Sequence, residues 1–515
     1  MSVEKIETNA PEKVRGFQLN KVCAEVVFVL IPVICMIALA VVQPFGDPPD
    51  EINRFKVAYY ICNHGRLPIG SDPEILLDGY GASYAYQPIL TYIIQGWVMR
   101  AVQLFTRDSY ALIVAARMVN VLLGAGCAVV LRRIAKLLWS NEWTGWLFSL
   151  FVMYLPQHLF LYTYINTDAM ALFGSAVLLW MMLRGMQNDF DTKTCIGAAV
   201  GVILVGLSYY NAYVIVLCAM IWFFYDRIRK KDLIGLRNKT GLIAGIVILG
   251  MGWWFIRNAI LYQGDFLGLT ARQLCAMETA AEEFNPLTRF TYSGAGIPIR
   301  DMLFGTDYIL LTWQSFVAMF GAMNIPTHGL IYIFYRDLYL ICLACLLIPQ
   351  LILWKVQGKK HVGNGTPESE KAGHLPEEKT SVGRFAALTL KGSDRILWDI
   401  LMLMDILLTM ALHLYYSYTW EYQPQGRYLL PMVFALMYFL TLGVDKLEWG
   451  VCTICDRLWK KPAIGRCLSL IGKCGMMLFL LAVLVYTIFV KVIPAYPQDF
   501  CLGLLHTVPF ENILP

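Results

Sequence analysis

The sequence contains eleven apolar runs that are long enough to cross a lipid bilayer. A spanning helix needs about 20 apolar residues, because the bilayer core is ~30 Å thick and each helical residue adds ~1.5 Å. Hydrophobic residues make up 58% of the chain and charged residues only 15%, which excludes a soluble globular protein. The sequence therefore predicts an all-α polytopic membrane protein of about eleven transmembrane helices, within a range of about 10 to 13. The predicted spans are roughly 22–42, 109–131, 142–163, 168–186, 194–209, 212–226, 240–261, 330–354, 396–416, 428–444 and 470–491.

The basic residues between these runs predict which side of the membrane each loop faces. Lys and Arg favour the cytoplasmic side. The loops that contain Arg132, Arg227 and Lys446 are rich in both residue types, and a single assignment places all three inside. That assignment makes residues 1–21 a cytoplasmic tail. It puts the loops 43–108 and 262–328 outside, together with a C-terminal tail, 492–515.

A polar segment, 355–395, divides the chain. It is rich in charged, Gly and Pro residues and has no apolar periodicity, which is typical of a flexible loop. On the predicted topology this loop is cytoplasmic. It separates an N-terminal transmembrane module, 22–354, from a shorter C-terminal transmembrane module, 396–491.

The segment 87–105 is apolar enough to span, but it carries a polar stripe. Gln87, Thr91, Gln95 and Gln103 are spaced by four residues or a multiple of four, so they share one face of a helix. We therefore expect an amphipathic helix that lies in the outer interface of the membrane as part of the first external loop.

Two adjacent acids, Asp50 and Glu51, follow the first predicted span. Carboxylates close to a bilayer are costly unless they are paired or functional. Pro48 and Pro49 precede them and restrict the turn on which they lie. Either acid could cap the helix predicted to follow, or the pair could carry chemistry, and this stretch alone leaves both readings open.

Further charged residues recur at the predicted outer ends of spans. Asp168, Arg257 and Arg427 lie at three such boundaries, and Arg54, His64 and Arg117 could add positive charge at a similar depth. For any single arginine the simpler reading is that its side chain reaches towards lipid phosphates. The sequence thus predicts acids and arginines that converge at one leaflet.

Several of these segments resemble one group of membrane enzymes. "PPDEINRF" resembles the Pro-Asp-Glu motif in the first external loop of GT-C superfamily glycosyltransferases, which include protein mannosyltransferases and lipid A aminoarabinose transferase. "WWFIRNAILYQGDFLG", "SFVAMFGAMN" and "QGRYLLP" are similar to segments of an uncharacterised bacterial branch of that superfamily. The resemblance runs from about residue 30 to 435. It implies a GT-C-like catalytic module within 22–354 and a bacterial plasma membrane.

The resemblance also implies an activity. Such relatives move a sugar from a polyprenyl-phosphate-linked donor to an acceptor hydroxyl on the extracytoplasmic face, in the modification of cell-envelope glycans or glycolipids. The partners it implies are that donor and an envelope glycan, lipid or protein acceptor, with the sugar and the acceptor left open. Basic inner loops beside anionic lipid account for the net charge of +5, so no nucleic-acid partner is expected.

On this resemblance Asp50 is the candidate catalytic base, because a carboxylate in reach of the acceptor hydroxyl can take its proton. Arg257 and Arg427 are the candidates that bind the departing phosphate, with Arg54 third. Two positions depart from the bacterial branch. Arg54 stands where that branch has a His, and Asn211 stands near the position at which many relatives have a Lys.

The remaining site residues have less definite roles. Glu51, grouped with the catalytic acids, and Asp168, grouped with the substrate-binding residues, could orient the base, bind sugar hydroxyls or hold a divalent cation. No other cofactor is expected, and the sequence leaves open whether a metal ion is bound. His64 and Tyr428 complete the predicted substrate-binding residues.

The alternative is a lipid-linked saccharide transporter or flippase without transferase activity. It predicts charged residues near the bilayer midplane or on both faces. Asp405 is the clearest deeply placed acid, whereas the other candidates cluster outside. This distribution favours the transferase.

Overall fold

The computed structural model describes residues 12–361, 388–459 and 462–496, and the protein is 75% helical. The helices are α1 Glu12–Val42, α2 Glu51–His64, α3 Leu90–Val102, α4 Ser109–Leu138, α5 Glu142–Met153, α6 Pro156–Phe160, α7 Asp168–Gln187, α8 Thr192–Gly206, α9 Tyr213–Arg229, α10 Leu233–Leu261, α11 Leu269–Thr279, α12 Ile299–Phe304, α13 Tyr308–Val317, α14 Gly329–His361, α15 Gly392–Thr419, α16 Val433–Trp459, α17 Pro462–Val485 and α18 Ile493–Ala495. A hairpin of two short antiparallel strands, β1 Met319–Phe320 and β2 Ile325–Pro326, lies between α13 and α14.

Nine helical segments within the described ranges are long and apolar enough to cross a membrane. They are Lys21–Val42, Ser109–Leu138, Asp168–Gln187, Tyr210–Arg229, Leu233–Leu261, Gly329–Leu347, Gly392–Thr419, Gly426–Cys455 and Cys467–Ala495. Each coincides with one of the predicted spans. The chain is therefore an all-α integral membrane protein.

The predicted span 142–163 is an interrupted helix. The chain leaves α5 at Met153 and forms only the short α6 before α7. It nevertheless crosses beside α1, because Glu142 Oε2 binds Lys21 Nζ at 3.0 Å at one end and Thr163 O accepts a hydrogen bond from Gln43 Nε2 at 2.5 Å at the other.

The predicted span 194–209 corresponds to α8, which has 15 residues. Just before α8, Asp189 pairs with Arg227 and Lys239 at the ends of α9 and α10. Just after α8, Leu207 O accepts a hydrogen bond from Leu90 N of α3 at 3.1 Å. The two ends of α8 therefore lie at opposite ends of the bundle, and the described residues cross it eleven times.

Helix α3 does not cross the bundle. Its 13 residues reach only ~20 Å, and it connects α2 to α4 at one end of the bundle. Thr91 and Gln95 of the predicted polar stripe are completely buried, and Gln95 Nε2 donates to Asn120 Oδ1 of α4 at 3.3 Å. The stripe exists, but its central residues pack against protein instead of facing water.

The predicted external loops build one end of the bundle together. The first loop supplies α2 and α3, and the loop 262–328 supplies α11 to α13 and the hairpin. They are joined where Thr279 Oγ1 donates to Gly81 O at 2.5 Å and Ala281 N donates to Gly79 O at 2.8 Å. Gly81 has a φ of 72° and lies so close to Ala280 that a Cβ would overlap its backbone nitrogen.

The opposite end carries buried charge networks that include the predicted inner loops. Arg227 is completely buried and pairs with Asp226, with Asp189 at 2.5 Å and with Asp232 at 2.9 Å. These contacts tie the ends of α7, α9 and α10 together. A buried arginine with three acids is a structural anchor, because any unpaired charge there would be costly.

The boundaries of the predicted loop and tails are described only in part. Helix α1 begins at Glu12, inside the predicted tail 1–21, and α14 continues to His361, past the predicted end of its span. Leu388 forms a bridge with Trp139. Residues 362–387 of the predicted loop and 497–515 of the predicted C-terminal tail lie outside the described residues.

Candidate active site

The acid pair begins α2, and Asp50 is its N-cap residue. The backbone of Asp50 is left-handed, with a φ of 63°, a conformation that Asp and Asn tolerate better than most residues. Its carbonyl oxygen accepts a hydrogen bond from Arg54 N at 3.0 Å, but its side chain makes no capping hydrogen bond. The Asp50 carboxylate therefore does not serve as a helix cap and is directed towards other groups.

Two arginines contact the Asp50 carboxylate. Arg427 Nη2 donates to Asp50 Oδ2 at 2.6 Å, and Arg54 Nη2 lies 3.7 Å from the same oxygen. The arginine side chains are almost completely buried, whereas 33% of the Asp50 side chain is exposed. Burial raises the pKa of Asp50, but the positive charges of Arg427 and Arg54 outweigh it, so the pKa lies below its ordinary value. Asp50 is ionised at neutral pH and partly accessible.

Arg54 connects this carboxylate to a second acid. Its Nη1 donates to Asp168 Oδ2 at 2.7 Å, and Asp168 is the first residue of α7. The Arg54 guanidinium also lies over the Tyr84 ring, 5.3 Å from its centre. The centre thus combines two acids with two arginines, so its formal charges cancel.

The segment before α16 directs Arg427 towards α2. Gly426 N donates to Ser315 Oγ at 2.7 Å, and a Cβ on Gly426 would lie 2.5 Å from Phe316 Cα. This close approach requires a glycine. Arg427 Nη2 also contacts Tyr428 Oη at 3.1 Å, so the predicted residues Arg427 and Tyr428 both belong to the centre.

Glu51 points away from Asp50 into the protein. It is completely buried, and Arg117 donates to both of its carboxylate oxygens, from Nε at 2.8 Å and from Nη2 at 2.6 Å. Backbone nitrogens of Ile165 and Gly46 donate to it, each at 3.1 Å. Glu51 therefore joins the start of α2 to α4 and to the turn before α7, and its position favours a structural role.

A cavity of about 450 Å³ opens beside the centre. Its lining includes Arg54, Tyr84 and Tyr428 of the centre and, from other segments, Arg272, Arg289 and Trp420. Asp50 itself is not among the lining residues and reaches the cavity through its contact with Arg54. The Arg289 guanidinium lies 5.2 Å from the Trp420 ring centre. Neither Arg272 nor Arg289 forms an ion pair with another residue in the described part of the chain. Glu421 also lines the cavity, where its Oε1 accepts a hydrogen bond from Tyr80 Oη at 3.2 Å. Arg272 and Arg289 therefore offer positive charge that no direct ion pair neutralises within the described residues.

Two predicted site residues lie elsewhere. His64 is at the far end of α2, where its Nε2 lies 2.9 Å from Glu74 Oε2, and the length of the helix puts it ~20 Å from Asp50. Arg257 Nη2 donates to Pro68 O at 2.6 Å, and Arg257 does not line the cavity. Arg257 thus fixes the first external loop against the end of α10.

The donor set gives little support for a resident divalent cation. Within the described ranges there is no cluster of three or more His, Cys, Asp or Glu side chains that could hold one. Asp50 and Asp168 are the acids of the centre, and arginines already occupy an oxygen of each. The two arginines balance the charges of both acids, so the centre has no net negative charge to attract a cation, and these residues do not favour a metal.

The sequence did not single out Arg272 and Arg289 as site residues. Arg272 and Arg289 lie in a loop whose fold is set by contacts with distant segments, such as Gly81 with Thr279. Tyr84 begins a single 3₁₀ turn, Tyr84–Tyr86, in the first external loop. No periodicity marks such positions, and the signal available was the excess of aromatic and basic residues in the external segments.

Residues 97–278 match the family model "dolichyl-phosphate-mannose-protein mannosyltransferase". The match covers less than half of the chain. It includes Asp168 and Arg272 and leaves out Asp50 and Arg427. The resemblance to GT-C glycosyltransferases is thereby confirmed at the level of the superfamily. None of the curated proteins matches the sequence.

Two solved structures are similar to this chain at low sequence identity. ArnT from Cupriavidus metallidurans, solved bound to undecaprenyl phosphate, has a TM-score of 0.40 and 14% identity over 93% of this chain and 75% of that chain. The oligosaccharyltransferase of Archaeoglobus fulgidus, solved with a tethered acceptor peptide, has a TM-score of 0.47 and 12% identity over 90% of this chain and 55% of that chain. The chain thus spans about half the length of the archaeal protein.

Proposed function

We propose that the protein is a glycosyltransferase that moves a sugar from a polyprenyl-phosphate-linked donor to an acceptor hydroxyl. The observation that carries the proposal is the Asp50 carboxylate, ionised by Arg427 and Arg54 and partly exposed beside a cavity with unpaired arginines. Because the matched family uses a lipid-phosphate-linked mannose, this combination of a base and an anion site fits the transfer of a sugar from such a donor.

In the proposed reaction Asp50 is the base. The acceptor oxygen attacks the anomeric carbon while its proton passes to the Asp50 carboxylate, and the bond between that carbon and the phosphate oxygen breaks with its electron pair leaving on the phosphate. A positioned carboxylate typically contributes ~10²–10⁴-fold to such a step. The left-handed backbone and the bond from Arg427 fix the orientation of the carboxylate, so it need not reorient as the proton is taken.

The departing phosphate requires cations that are not already neutralised. Arg54 and Arg427 are balanced by Asp168 and Asp50, and Arg257, which binds the carbonyl oxygen of Pro68, does not line the cavity. We therefore assign the phosphate to Arg272 and Arg289, in place of the role that the sequence suggested for Arg257. Arginine suits this task because its planar fork of N–H donors matches phosphate oxygens.

We place this reaction on the extracytoplasmic face, with the N-terminus in the cytoplasm and the C-terminus outside. The predicted inner loop that supplies Arg227, Lys230 and Lys239 to this charge network lies at the end of the bundle opposite Asp50, which agrees with the preference of Lys and Arg for the cytoplasmic side. Asp405 is buried within α15, and the paired acids and arginines of the centre lie at one end. This distribution favours a transferase over a flippase.

The proposal is tested with the purified full chain in lipid nanodiscs and a panel of polyprenyl-phosphate sugars. Transfer, or slow hydrolysis in the absence of an acceptor, is expected to release free polyprenyl phosphate from at least one donor. The amount released is measured by mass spectrometry against nanodiscs without protein. A folded protein that releases none from any donor would contradict the proposal.

A further inference from the structure

A buried histidine in the cavity wall is not explained by the reaction above. His413 of α15 is 4% exposed and lines the cavity. Its Nε2 is buried and has no hydrogen-bond partner among the residues that the structure describes. An unsatisfied buried polar atom is destabilising, so such a group in a cavity wall calls for a ligand.

Two tyrosine rings fix the orientation of this imidazole. The ring centres of Tyr308 and Tyr428 each lie 5.7 Å from that of His413, with interplanar angles of 21° and 34°. Tyr308 is itself held, because its hydroxyl lies 3.3 Å from Ser417 Oγ. The imidazole is therefore already oriented before a ligand binds.

The same face of α15 carries more hydrogen-bonding capacity than the protein uses. Thr409 lies one turn deeper than His413, ~6 Å along the helix, and its Oγ1 is likewise buried without a partner in the described ranges. Both side chains are 96% or more buried, since their exposed fractions are 4% and 2%. Two successive turns thus carry unused polar atoms, and of the two residues His413 lines the cavity.

His413 is separated from the base by two side chains. Asp50 contacts Arg427 at 2.6 Å, Arg427 contacts Tyr428 at 3.1 Å, and the Tyr428 ring stacks near His413. His413 therefore cannot share the proton that Asp50 takes. Arg54, which contacts Asp50, and His413 line the same cavity, so both border the space that a bound sugar would occupy.

We propose that His413 is a sugar-binding residue that hydrogen-bonds a hydroxyl of the donor sugar and so helps to select that sugar; this proposal rests on the proposed function. A neutral imidazole presents one donor and one acceptor nitrogen, which matches a hydroxyl that both donates and accepts. Sites that hydrogen-bond a substrate hydroxyl discriminate strongly against analogues that lack it, because the polar group of the protein is then left unpaired.

The test compares wild type with His413→Phe and His413→Asn on donors that lack single sugar hydroxyls. We expect His413→Phe to lower kcat/KM by ~10–100-fold on a donor with all hydroxyls, mainly through KM, and His413→Asn to restore part of it. On the donor that lacks the contacted hydroxyl, wild type and His413→Phe should be equal.

His158→Phe is the matched control, because His158 is also a buried histidine among aromatic rings but does not line the cavity. It should lower thermal stability without changing the order of donor preference. An equal loss for His413→Phe on every deoxy donor, or no loss at all, overturns the sugar-binding role. Wild type that is inactive on every donor would instead refute glycosyl transfer itself.

Discussion

Glu51→Gln is expected to destabilise the protein strongly, because it leaves Arg117 as a buried charge without its acid. The neutral amide also places N–H donors against the donors that now contact Glu51. Removal of one partner from a buried ion pair typically costs ~3–5 kcal/mol. Arg117 keeps its bonds to the carbonyl oxygens of Ala40 at 2.9 Å and Gln43 at 2.8 Å, so we expect a value near the lower end, ~3 kcal/mol.

Thermal unfolding measured with a thiol-reactive dye suits this variant, because buried free cysteines such as Cys62 and Cys127 become reactive when the protein unfolds. The midpoint should fall by several degrees. Glu74→Gln is the control, because Glu74 lies in an exposed pair with His64 and exposed pairs contribute little. An unchanged midpoint for Glu51→Gln together with lost transfer would refute the structural role and return Glu51 to the chemistry.

Three further variants test separate parts of the site. Arg427→Met removes the main cation that lowers the pKa of Asp50, so the acidic limb of the pH profile of kcat/KM should move to higher pH. An unchanged acidic limb would show that the ionisation of Asp50 does not control the rate. Arg272→Ala should raise the KM for the donor ~10-fold or more while changing the KM for the acceptor little, and an equal change in both would argue against phosphate binding. Gly426→Ala should lower both the unfolding midpoint and transfer, because its Cβ overlaps the backbone at Phe316; full activity would show that the close approach is not required.

The helical fold could be predicted from apolar runs because a bilayer sets a minimum length for each span. The interrupted span of α5 and α6 met that requirement as a sequence. Its break falls at Leu155, whose extended backbone precedes Pro156. The polar stripe on α3 could be found from the spacing of its residues. The spacing could not show what the stripe contacts, because it does not distinguish water from a neighbouring helix.

The sequence predicted residues of the candidate site only where a charged residue lies within a short distinctive motif. Asp50 and Arg427 lie 377 positions apart in the chain, yet each belongs to a short distinctive motif at an outer boundary. The sequence could not assign different roles to Glu51 and Asp50. Which of these two adjacent side chains points into the protein depends on the position of Arg117. His413 sits in an apolar run that gives no sign of a cavity.

The central claim is that Asp50 takes the proton of the acceptor, and Asp50→Asn tests it most directly. Asparagine also tolerates the left-handed backbone and keeps one oxygen for Arg427, so the unfolding midpoint and donor binding should stay close to wild type. The rate of sugar transfer, measured as release of polyprenyl phosphate in the presence of acceptor, should fall by ~10²–10⁴-fold. Transfer within a few-fold of wild type by a fully folded Asp50→Asn protein would contradict the account.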